Sequence, residues 1–191
     1  MSAPSRRFGE LPLEAMSPEQ RAVADAIMAG PRSMGGALRG PFEAMLRSPG
    51  LAESAQRVGE HVRYHSVLPA RLNELAIIMV ARRWTAQYEW SAHKRLALAA
   101  GLDPVVVDAI ADGRAPALGD DPDALAVHRF VAQLLAEGQV DDEAFADVDR
   151  RFGQQGAMDL IGAVGYYCLI SFILNVDRVP LPEGEEPLRP L

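Results

Sequence analysis

The sequence is poor in the residues that carry thiol, amine and redox chemistry. Its 191 residues include one cysteine, Cys168, one lysine, Lys94, and one threonine, Thr85. A single cysteine excludes an intrachain disulfide, a Cys-x-x-Cys redox pair and a cysteine-built zinc site. No segment reaches the roughly 18 uninterrupted apolar residues that span a membrane. The N-terminal MSAPSRRFGELPLEAM also lacks the apolar core of a signal peptide. A cytoplasmic protein without a membrane partner is the expectation. A net charge of −7 speaks against nucleic acid as a partner, because such proteins present a basic face.

That charge is unevenly placed. Residues 1–101 hold 13 basic and 9 acidic side chains, a net of +4, whereas residues 102–191 hold 6 and 17, a net of −11. Hydrophobic residues make up 49% of the chain, enough for one globular domain with its own core. Thirty alanines and proline-free stretches over 70–103 and 123–179 predict an all-α fold of about eight helices.

Helix signals are local and legible. Ser17-Pro18-Glu19-Gln20 reads as a capping box opening a helix that ends before Gly30. Residues 30–41, GPRSMGGALRGP, read as a flexible loop, a candidate lid. Helices are expected over about 41–48 and 51–65. Another opens at Pro69, with the apolar run Leu75–Ala81 making it central and buried. Tyr88–Ala100 and a helix from Pro104 to Gly113 follow, then 123–137, 141–152 and 154–175. Residues 180–191, rich in proline, form an extended tail.

Chemistry concentrates in Arg71-Leu-Asn-Glu74, the apolar helix ending in Arg82-Arg83-Trp84, and Tyr88-Glu89-Trp90-Ser-Ala-His93. Glu89 and His93 are four apart, so on a helix they share a face, and the carboxylate favours the imidazolium. Glu74, at the start of an apolar helix, needs a partner if it is buried, and Arg71 is the nearest candidate. His61 and His65 also share a helix face, but no carboxylate or third ligand accompanies them in the sequence, so no metal site is expected. Cys168 reads as a small buried hydrophobe, and Lys94 projects away from His93.

The pattern Arg-x-x-Glu, apolar helix, Glu-x-x-x-His and Gly-Leu resembles the carboxymuconolactone decarboxylase family and the related alkyl hydroperoxidase D proteins. The resemblance is strongest over 68–113 and extends loosely over about 40–179, within one domain of 1–191. It implies the helical bundle of that superfamily. In the hydroperoxidase branch two cysteines precede the histidine, and aligned on His93 they fall at Ala86 and Glu89. The chain thus resembles the cysteine-free branch, which implies no thiol peroxidase activity. What the resemblance implies instead is a decarboxylase, or a related lyase or isomerase, without cofactor, acting on a small anionic lactone or oxo-acid. His93 would supply the proton, Glu89 orient it and Glu74 relay, with Arg82 or Arg83 binding a substrate carboxylate. The resemblance also implies a homo-oligomer, a trimer or hexamer. A helical oligomer or binding module that keeps the fold without the chemistry is the competing reading. Its sign would be a Glu74–Glu89–His93 cluster sealed away from any cavity.

Overall fold

A computed structural model describes residues 5–33 and 37–190. Eight helices and no strand appear among the described residues: α1 Pro18–Ala29, α2 Phe42–Met45, α3 Pro49–Tyr64, α4 Ala70–Arg83, α5 Gln87–Ala99, α6 Pro104–Ala111, α7 Pro122–Glu137 and α8 Asp142–Asp177. A short 3-10 turn, Leu13–Ala15, precedes them without a clear sequence signal. The starts follow from side-chain caps. Ser17 and Gln20 form the reciprocal capping box of α1, and Asp103, Asp121 and Asp141 accept from the first free amides of α6, α7 and α8. The helix α7 stops at Gly138, which takes the left-handed φ of 74° that glycine adopts without a steric penalty.

The centre of the bundle is α4, packed on α5, α6, α7 and α8. Every residue from Leu72 to Arg82 is buried, as the all-round apolar run requires. Between α4 and α5 the chain reverses through Thr85, which holds a φ of 46° despite its branched side chain. That strained turn fixes how α5, the helix bearing Glu89 and His93, lies across α4. At Gly153, with φ 69° and ψ 176°, α8 is broken where the sequence separates two helices. Asp159 is buried inside the second half of α8.

By length and composition α8 is apolar enough to cross a membrane, although Asp159 and Asp177 bound its uncharged run one residue short of 18. However, 56% of its most apolar window is buried in the bundle, the pattern of a core helix. Buried Asp177 at its end accepts from the Arg6 guanidinium and from the Phe8 amide, tying the N-terminal segment to the bundle.

The tail is extended, as its prolines suggest, but it is anchored. Leu188 is buried in the core cluster, its amide donates to Gln87 Oε1 and its carbonyl accepts from Gln87 Nε2. Of the loop 30–41, residues 34–36 lie outside the described residues, and so does the part of the lid expectation that falls on them.

Candidate active site

Glu74 sits in the early part of α4, while Glu89 and His93 lie one turn apart at the start of α5. Packing α5 on α4 brings the three together. Glu74 Oε2 lies 2.6 Å from His93 Nδ1, and Glu89 Oε1 lies 3.1 Å from His93 Nε2. All three side chains are buried. A carboxylate oxygen at each ring nitrogen favours a ring that donates from both, the imidazolium. Burial pulls the His93 pKa down, but the hydrogen bonds and charges of Glu74 and Glu89 outweigh it and raise the value to about 9. The Tyr167 ring meets His93 edge-on, with ring centroids 4.8 Å apart. Burial lifts the Tyr167 phenol well above its ordinary pKa, which keeps it protonated, and its hydroxyl has no hydrogen-bond partner.

A cavity of about 500 Å³ opens beside this triad. Glu89, His93 and Tyr167 line it, with Glu74 behind the imidazole, and Arg32, Arg39, Arg63 and Arg95 also face it. The sealed cluster expected of a fold without chemistry is therefore not the arrangement found.

Two expected pairings are corrected. Arg71 does not hold Glu74: its guanidinium pairs with Asp121 at 2.6 Å, and Glu74 bonds His93. Arg82 and Arg83 do not face the triad. They lie eight and nine residues beyond Glu74, about 12 Å along the helix axis. Arg82 donates to the Arg189 carbonyl in the tail, and Arg83 stacks on Trp84. Both line a separate cavity with Met79 and His128. The arginines that face the triad's cavity come instead from the Gly/Pro-rich loop, α3 and α5. The +4 surplus of the first half was the one signal pointing to them.

Other singled-out residues have structural tasks. His61 does gain a carboxylate, Asp159, 2.9 Å from Nε2, which the sequence could not reveal across 98 residues. Among the described residues no group of three such side chains assembles as a metal ligand set. Cys168 is half-buried and accepts from Trp84 Nε1 at 3.2 Å, and burial raises its thiol pKa.

Residues 49–132, from α3 into α7, match the model of the carboxymuconolactone decarboxylase family. They are a carboxymuconolactone decarboxylase family domain. The family's all-α, alkyl hydroperoxidase D-like architecture agrees with the bundle described above. No match to a curated protein was found. Glu74, Glu89 and His93 fall within the carboxymuconolactone decarboxylase segment, whereas Arg32, Tyr166 and Tyr167 fall outside it.

One wall of the cavity depends on a missing side chain. A Cβ at Gly59 of α3 would stand 2.3 Å from both Arg32 Nη1 and the Tyr166 hydroxyl. Gly59→Ala is expected to cost about 1–3 kcal/mol through overpacking, read as a lower thermal midpoint. An unchanged midpoint would show that Tyr166 and Arg32 shift freely.

Proposed function

We propose that this carboxymuconolactone decarboxylase family domain is an acid–base enzyme without cofactor, a decarboxylase or related lyase or isomerase, acting on a small anionic lactone or oxo-acid. The observation that carries the reading is the buried Glu74–His93–Glu89 relay opening onto a cavity faced by four arginines. Its volume lies in the range of small-molecule sites.

In the decarboxylation, the bond from the substrate carbon to its carboxylate breaks and carbon dioxide leaves. The electron pair passes into the conjugated carbonyl, giving a dienolate. The cationic wall lowers the energy of that developing charge. A proton then returns to carbon, so the reaction takes up one proton. It comes from the His93–Glu89 pair at the cavity wall, with Glu74 holding the imidazolium from behind and solvent restoring the proton. Tyr167, kept protonated, is a further donor close to the imidazole.

The test is turnover of carboxylated unsaturated lactones in heavy water. Carbon dioxide release with one solvent deuterium on the product carbon is expected. Across such a substrate panel, absence of both exchange and release would contradict the reading.

A homo-oligomer belongs to the same proposal. The outer face of α8 leaves Met158, Ile161, Phe172 and Val176 exposed, with Gly165 midway between Met158 and Phe172. These residues recur at helical spacing on one face of α8, an apolar stripe that a second copy of the chain would cover.

A further inference from the structure

Arg32 lies outside the family segment, and the chemistry above gives it no task beyond its share of the cationic wall. It is 9% exposed and stands in the wall of the cavity shared by Glu89 and His93. Its Nη1 donates to the Tyr166 hydroxyl at 2.6 Å and to the Gln56 carbonyl at 3.3 Å. Its guanidinium carbon lies 4.8 Å from the Phe42 ring centroid and 5.4 Å from that of Tyr166. Each of these neighbours is neutral. Among the described residues no carboxylate pairs with Arg32, and Nε is buried without a partner.

A guanidinium does not give up its proton at any ordinary pH, so a buried one without an anion is an uncompensated charge. The structure keeps this cost and positions the group firmly. The way it is held shows what the group awaits. Both protein contacts use Nη1 and Nε is enclosed by the protein, so Nη2 is the guanidinium nitrogen left without a partner among the described residues at the cavity wall. A cationic N–H donor in a largely enclosed wall suits a carboxylate oxygen. Gly59 supplies the room this placement needs.

We infer that Arg32 is the carboxylate-binding residue of this cavity, donating to a ligand carboxylate from Nη2. The inference rests on the reading of the cavity as a ligand site and adds to it the group that anchors the ligand. A contact of this kind binds ground state and transition state alike, so it acts on KM more than on kcat.

The full chain, labelled with ¹⁵N-arginine, is titrated with benzoate, with uncharged benzamide and with inorganic phosphate. The buried Nε–H resonance of Arg32 is assigned by its loss in Arg32→Gln. Benzoate is expected to move that resonance saturably, benzamide to leave it in place and phosphate to bind more weakly. Arg32→Gln is expected to weaken benzoate binding at least about tenfold, and Arg32→Lys, which keeps the charge but not the planar group held by Tyr166 and Gln56, fails to restore it. Arg39→Gln, at an exposed arginine of the rim, has a smaller effect. An unmoved Arg32 resonance, equal binding by Arg32→Gln, or a preference for phosphate would overturn the inference. If Arg32→Gln does not fold, the resonance is assigned through Tyr166→Phe, which perturbs its Nη1 contact, and the wild-type titration decides. Benzoate bound at Arg32 in a chain that turns over no substrate would uphold the subsite and sink the acid–base reading.

Discussion

His93→Gln is expected to lower turnover between about 10²- and 10⁴-fold, the range contributed by a positioned proton donor. The substitution removes the one cation between two buried carboxylates, so it also destabilises the fold, and rates are to be compared well below its unfolding midpoint. A companion variant separates chemistry from structure. Glu74→Gln keeps a hydrogen-bonding partner at Nδ1 but removes one of the two charges that raise the His93 pKa. Its alkaline limb of activity is expected to move to lower pH than in the wild type. A general loss of packing would lower activity at every pH without moving that limb. Full activity in His93→Gln would remove the residue from the mechanism.

Raising the pH from 6.5 to 9 is expected to cost about 3 kcal/mol of stability. His93 has an ordinary pKa of 6.5 in the unfolded chain and one of about 9 in the fold. Between these values the folded state binds the additional proton, so stability falls as pH rises. The contribution is complete below pH 6.5 and lost by passage through 9. The direction is opposite to that of the shifted carboxylates. Asp121, Asp141 and Asp159 are held below their ordinary values, and their contributions are lost on acidification. His128, lowered by burial, acts below pH 6.5, while Cys168 and the tyrosines Tyr88, Tyr166 and Tyr167 are raised and act above 9. Urea unfolding at intervals across the window measures the slope. A flat profile from 6.5 to 9 would show that the imidazole is neutral in the fold.

How much of this was legible in the sequence follows from the range of each interaction. The Ser17 capping box, the Pro69 start, the left-handed Gly138 and the break at Gly153 depend on a few neighbouring residues, and each stands where the sequence puts it. The Glu89–His93 contact is likewise local, one turn of helix. Glu74 could be joined to His93 only through the family pattern, because nineteen residues and a strained turn separate them. Arg82 and Arg83 looked suitable by type, but helix geometry carries them away from Glu74 and toward the tail. The Arg32–Tyr166 contact joins residues 134 apart and arises only when α8 closes the bundle. No periodicity or spacing encodes such a meeting.

An imidazolium held between Glu74 and Glu89 at the cavity wall is the proton source of the proposed reaction. The most direct measurement is the ¹⁵N resonances of the His93 ring followed from pH 6 to pH 10. Protons on both ring nitrogens at pH 7.5, with titration near 9, are the expected result. A ring with one bare nitrogen at pH 7.5 would contradict it.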